Sequence, residues 1–468
     1  MTNTAAGTDT VHSEQIPVWL STELATVPAY DAFAGVDALV AGVHAIAREY
    51  PDCAALHRVG TSRQGEPLWC LTISEDVQRP SALVVGLPHP NEPIGGLTAL
   101  HLARRLCADP ALRARLAHTW HIVVCADPDG LRLNEGWLAG PFTRAHYARH
   151  FYRPEGDEQV EWTFPVAVGE VYHDRPIPET EALMRLIDQH RPALLAALHN
   201  GELGGAFYYL SRAEPRLHGV LKAVPQSIGI PLHGGEPESP IAVPLDQAIF
   251  LSPDAESFHE RLTAAGIPWP PHGGSTTMYS ARYGTFTVLS ELPYWSDPAA
   301  DDHTPSGISY AASLTRLGEG VVELGEVLTR AVDDVEGHLL APSSPLWTAG
   351  SAFARVQEPS GRSILARAGR PESDREATVA EVRSLGNSLH AHRLRFAGMV
   401  NRVLQGEIAM GNVREPVRVH AAAIAARYET WLDEDAAAIQ LEPIPIGKLV
   451  TVQYAAVIGA AAHLAGTL

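Results

Sequence analysis

Residues 81–100 read SALVVGLPHPNEPIGGLTAL. The run from Ser81 to Leu87 is short, apolar and valine-bearing, and it stops at Pro88-His89-Pro90, the pattern of a buried strand. The following segment, EPIGGLTALHLARRL over 92–106, spaces Ile94, Leu97, Leu100 and Leu102 as in a helix. His89 and Glu92 fall between the two elements, three residues apart, just past the strand's carboxyl end. In open α/β sheets, sites form in the crevice beyond such ends. An imidazole nitrogen and a carboxylate oxygen placed there suit Zn²⁺, which both bind at about 2.0–2.2 Å.

The same alternation extends outward in both directions. HIVVCADPDG (121–130) reads as a strand closed by a turn, and ETEALMRLIDQHRP (179–192) as an amphipathic helix with Leu183, Leu186 and Ile187 on one face. ALLAALHN (193–200) and GTFTVLSELP (284–293) read as two more buried strands. Strand and helix in alternation predict an α/β fold with a mixed, largely parallel sheet flanked by helices. Residues 1–18 read as a flexible tail and 19–340 as the catalytic domain. LLAPSSP (339–345) reads as a linker, and 345–468 as a mostly helical region for an accessory role or a homo-oligomer contact. The segment GKLVTVQYAAVIGAAAHLAG within it has the Ala/Val content of a helix packed on most sides.

Bulk properties narrow the function classes. The chain has 468 residues and a net charge of −19, from 54 acidic and 35 basic residues. Nucleic acid and anionic membrane surfaces would not attract it. Its four cysteines, Cys53, Cys70, Cys107 and Cys125, form no CxxC pair, so they read as small buried apolar groups. The start, MTNTAAGTDTVHSEQ, lacks a basic-then-apolar leader pattern, and no uncharged apolar run reaches about 18 residues. A cytoplasmic protein is the expectation.

A catalytic zinc takes three protein ligands and keeps one position open. His199 closes the strand ALLAALHN and is the expected third ligand; Glu291, closing GTFTVLSELP, is the expected general base. A second His-x-x-Glu, His233 to Glu236, has no strand before it and no helix after it, and reads as a loop.

In this order, His89, Glu92, His199 and Glu291 resemble the zinc carboxypeptidase family, the metallocarboxypeptidases. DPDG (127–130) is similar to the family's Asn-Pro-Asp-Gly turn, with Asp127 in place of Asn. Residues 172–200, with Pro-Glu-Thr-Glu opening a helix, resemble the family segment that leads into the third ligand, and Gly273-Gly274-Ser275 precedes Glu291 at a similar spacing. The resemblance covers roughly residues 50–335. It implies one zinc ion and hydrolysis of an amide bond next to a carboxylate-bearing residue, in a small peptide or an N-acyl amino acid.

The chain also departs from the pattern. The family's Asn-Arg pair, which grips the substrate carboxylate, is absent; Tyr152-Arg153 is the nearest substitute, with Arg153 as the expected anchor. Arg144, with Arg132 behind it, is the expected arginine at the scissile carbonyl, since a guanidinium fork suits an oxyanion. Trp269 falls at the spacing of the family's mobile tyrosine, with Tyr279 or Tyr283 as alternatives. Asp157, Glu158 and Glu161 form either a solvated acidic loop or a negative rim for cationic substrates. HPNEPIGG is also similar to the aspartoacylase and succinylglutamate desuccinylase branch, which removes acyl groups from amino acids. A deacylase, a non-catalytic binding protein on the same fold, and an adaptor working through its helical third therefore stand beside the carboxypeptidase reading.

Overall fold

The computed structural model describes residues 16–75, 78–438 and 441–468. The expected N-terminal tail lies almost wholly outside the described residues. The chain builds one nine-stranded mixed sheet. Its strands are β1 (Ala54–Thr61), β2 (Pro67–Ile73), β3 (Ser81–Gly86), β4 (Thr119–Val123), β5 (Leu194–Leu198), β6 (Phe207–Leu210), β7 (Pro244–Asp246), β8 (Ile249–Leu251) and β9 (Phe286–Glu291). In space they run β1-β2-β4-β3-β5-β9-β6-β8-β7. The central four, β4-β3-β5-β9, are mutually parallel, and antiparallel strands flank them on both sides. The three apolar runs that end in His89, His199 and Glu291 are thus adjacent, in register and aligned.

The continuous apolar character of these strands follows from burial on both faces. Ala82 and Val84 of β3 and Leu194, Ala196 and Leu198 of β5 point into the main core. Leu83, Val85, Leu195 and Ala197 point into a second cluster on the opposite face, beneath the amphipathic helix Pro178–His190 with its Leu183, Leu186 and Ile187.

Further helices matter for the site. They are α1 (Val18–Leu24), α2 (Val36–Glu49), α3 (Ile94–Ala108), α4 (Arg144–His150), α5 (Tyr310–Val335), α6 (Pro345–Ala368), α7 (Val379–Ala409), α8 (Glu415–Ala438) and α9 (Ile446–Leu464). α9 is buried along nearly its whole length, against α3 and the sheet, and shares the main core with α1, α2 and β3. The expected boundary at 340–345 therefore does not separate two cores. The stretch read as a linker is pinned: the buried Glu407 carboxylate accepts hydrogen bonds from the backbone N–H groups of Leu340 and Ala341. A helix as apolar as α9 has to be covered on every side, and α3, the helix Pro215–Ser227 and the sheet together cover it.

Candidate metal centre

Two features bring β3 and α3 together in the geometry the site needs. Leu87, the first residue past β3, holds a left-handed φ of 52° and turns the chain into Pro88-His89. That conformation is uncommon for a bulky side chain and marks a site where surrounding structure imposes the turn. Gly95, in the first turn of α3, lies so close to β5 that an added Cβ would come within 2.9 Å of the Leu198 Cβ. A side chain here would push the helix start, with Glu92, away from the strand that carries His199.

As a result His89, Glu92 and His199 converge, all buried, with ligand atoms within 4.8 Å of one another; they form the metal-competent group among the described residues. The Nδ1 of His89 is buried with no hydrogen-bond partner. His199 Nδ1 lies 3.1 Å from Glu92 Oε2, which also accepts from the backbone N–H of Asn200 at 3.2 Å. His199 Nε2 is likewise buried without a partner, and two unpartnered imidazole nitrogens beside a carboxylate are a donor set that fits zinc. Burial, then the neighbouring Arg153 and His199, hold the His89 imidazole well below its usual range and therefore neutral, as a ligand must be.

Glu291 ends β9 on the wall of the same cavity, of about 370 Å³, that exposes His89, Glu92 and His199. Burial, followed by the nearby carboxylates of Glu238 and Glu92, pushes its carboxyl well above the ordinary carboxylate range. A carboxyl displaced in this way can hold a proton during turnover. Arg153 reaches in from the other side and donates from Nη1 to Glu92 Oε1 at 3.0 Å, while its Nε bonds Gln159.

The other expected residues lie elsewhere. Arg144 is not at the cavity: its guanidinium donates to Asp435 of α8, with Nε 3.0 Å from Oδ2, because α4 packs its first turn against the helical region. Arg132 sits on the outer face, tied to Asp37, Glu66 and Glu135. Tyr279 bonds Asp188, as does Tyr283, beyond the cavity wall. Trp269 stands one residue behind the rim, donating to the carbonyl of His272, whose ring does face the cavity. Of the acidic loop, Asp157 pairs with Arg175 and Glu158 with Arg63, whereas Glu161 turns inward. Its Oε1 accepts from the Thr276 hydroxyl and N–H, and its Oε2 is buried without a partner. The second His-x-x-Glu is a loop as read: His233 Nε2 meets the Glu236 carbonyl, and the Glu236 carboxylate binds Arg367 and Tyr310.

Among the cavity residues that escaped the sequence reading, two meet at one carboxylate oxygen. Glu202, three residues past His199, holds a left-handed φ of 58°. Its Oε1 accepts from Tyr147 at 2.5 Å and from Asn91 at 3.1 Å, so the Asn between the two metal ligands positions this carboxylate. Arg395, on α7 of the helical region, places Nη1 3.2 Å from the same oxygen. A Glu between Gly201 and Gly204-Gly205, just after a strand end, was a readable signal for the first. Arg395 carries no local signal, since only the packing of α7 brings it to the site.

Residues 39–228 match the zinc carboxypeptidase family. The match includes His89, Glu92, Arg153 and His199. Carboxypeptidase D of Anas platyrhynchos is 29% identical over 168 residues, which is 34% of this chain and 11% of that relative's length. Among solved structures, carboxypeptidase A from Helicoverpa armigera is similar at a TM-score of 0.41 and 15% identity, covering 75% of this chain and 78% of the other. The murein-tripeptide amidase from Escherichia coli O157 aligns at a TM-score of 0.28 and 18% identity, covering 53% and 86%. No helix among the described residues is long and apolar enough to cross a membrane.

Proposed function

We propose that this chain, whose residues 39–228 match the zinc carboxypeptidase family, is a zinc-dependent hydrolase that cleaves an amide bond beside a carboxylate-bearing residue, most simply at a peptide C-terminus. The observation that carries this reading is the convergence of three ligand atoms within 4.8 Å on a cavity whose wall also presents Glu291. His89, Glu92 and His199 would hold one zinc ion, which when bound supplies Lewis acidity and an acidified water. Glu291 takes the proton of the attacking water, and its raised affinity for a proton lets it carry that proton to the leaving nitrogen. Arg153, beside Glu92, is close enough to the ligand set to bond the carbonyl oxygen as negative charge builds on it. The carbonyl role expected of Arg144 thus passes to Arg153, and neither Arg144 nor Arg132 is given a part.

The missing Asn-Arg pair favours a second reading, removal of an acyl group from an N-acyl amino acid by the same residues. Turnover of free C-terminal dipeptides against N-acyl amino acids separates the two.

Metal content and turnover test the core of the proposal. The protein should bind one zinc per chain, and His89→Ala and His199→Ala should each abolish that stoichiometry. Glu291→Gln should keep the zinc and lose turnover by roughly 10²–10⁴-fold. Retention of zinc by both histidine variants, or near-normal turnover by Glu291→Gln, would overturn it.

A further inference from the structure

The cavity at the metal ligands does not end at the catalytic sheet. It opens into a second chamber of about 900 Å³ that lies between the loop 233–240 and helices α6 and α7. Both chambers expose Glu202, Glu238 and Arg395, so Arg395 stands at their junction. Three arginines reach the inner cavity: Arg153, Arg261 and Arg395. Arg153 is committed to Glu92 and Gln159.

Arg395 is held differently. Its Nε donates to the Ala391 carbonyl one turn back, and Nη1 faces Glu202 Oε1 at 3.2 Å. These contacts engage Nε and Nη1, and the guanidinium lines both chambers. The Glu202 oxygen it faces is already shared with Tyr147 and Asn91, both buried, so it cannot satisfy the whole guanidinium. The network is rigid: Tyr147 comes from α4, Asn91 from the loop of the metal ligands, and Glu202 from a left-handed turn after His199. Phe151 and Phe396 lie against the guanidinium, with centroids 5.7 and 5.4 Å from its carbon. A cation held through Nε and Nη1, backed by two buried rings and facing the cavity, is preorganised for a planar anion.

We propose that Arg395, supplied by the C-terminal helical region, is the specificity-determining residue that binds the carboxylate of the substrate, in place of the Asn-Arg pair this chain lacks. The proposal rests on the hydrolase reading for the identity of the substrate. It also gives the helical third a part in the active site, with the remainder of a longer substrate lying in the outer chamber.

The test is equilibrium binding, so that it stands apart from turnover. The full-length, zinc-loaded chain carrying Glu291→Gln is titrated calorimetrically with an N-acetyl dipeptide bearing a free terminal carboxylate, and with its C-terminal carboxamide. The parent should prefer the carboxylate by roughly tenfold or more. Arg395→Gln should erase that preference while leaving carboxamide binding and zinc content near the parent values, and Arg395→Lys should recover part of it. Absence of any preference in the parent overturns the proposal, as does a preference that survives in Arg395→Gln or that is lost in Arg261→Gln instead. A hydrolase reading that fails shows itself separately, as wild-type chain that binds the carboxylate peptide through Arg395 but cleaves neither it nor an N-acyl amino acid.

Discussion

At the scale of single residues, the site depends on side chains whose positions are fixed by partners far away in sequence. Tyr147 illustrates this. Its hydroxyl is buried, and it donates to the Glu202 carboxylate at 2.5 Å while accepting from Asn91. Tyr147→Phe removes a donor to a buried carboxylate, at a cost of about 1.5–3 kcal/mol for a hydrogen bond to a charged group. Denaturant unfolding should show a loss of that size with zinc content unchanged; an unaltered midpoint would mean that Glu202 is already satisfied without it. The positions of His199 and Glu291 were legible because each closes an apolar strand, and those of His89 and Glu92 because they follow one within a single turn; the ends of parallel neighbours necessarily meet. Arg144 was misplaced for the opposite reason. Its partner Asp435 lies 291 positions away, so nothing near it in sequence says which way its helix turns. Arg395 reaches the cavity by the same kind of distant packing and was invisible until the helices were placed.

At the scale of elements, α9 is the link between the helical region and the metal. Gln453, fully buried on α9, accepts from the Thr98 hydroxyl of α3 at 3.0 Å and donates to the backbone carbonyl of His199 at 2.7 Å. One amide side chain thus braces the helix that follows Glu92 and the strand end that bears His199. Gln453→Leu strips the Thr98 hydroxyl of its acceptor, at about 1–3 kcal/mol, and leaves the His199 carbonyl with the Asn200 side-chain amide as its remaining donor. The expected result is a lower melting temperature together with weaker zinc retention against a chelator; a fall in melting temperature alone would show that α9 supports the fold and not the ligands. The elements themselves were readable, since α3, β5 and β9 fall within two residues of their expected spans. The Ala/Val content of α9 even announced that it is buried. What periodicity could not convey is the partner, because an apolar face is the same whether a sheet or another helix covers it. Truncation after residue 340 removes α9 from the main core, so that fragment should be insoluble or unfolded by circular dichroism rather than a trimmed active enzyme.

At the scale of the whole molecule, burial of neutral imidazoles ties stability to pH. His101, in the seam between α3 and α9, is pushed down to about 4 by burial, against the opposing pull of Glu23. His121, inside β4 and stacked on His190, is pushed down to about 3, again chiefly by burial and then by that neighbouring ring. Both have ordinary values near 6.5 when unfolded. The unfolded chain therefore takes up these protons first, and stability is lost as pH falls from 6.5 toward 4. Each histidine contributes at most ~3 kcal/mol across that window, at about 1.4 kcal/mol per pH unit. Glu23 adds to the same trend lower down. Burial alone would raise its carboxyl, but hydrogen bonds from Arg105 and Tyr454 outweigh that and hold it below the ordinary value. Its stabilisation is present above the unfolded value near 4.5 and disappears as the pH drops further. The seam of α1, α3 and α9 thus carries two groups that fail in sequence on acidification. Melting temperature measured from pH 7.5 to 4.5 should fall steadily below pH 6.5, and His101→Gln should flatten the upper part of that decline while Glu23→Gln lowers the whole curve. A melting profile that stays level from pH 6.5 to 4.5 would mean that these imidazoles take up protons inside the fold as readily as outside it.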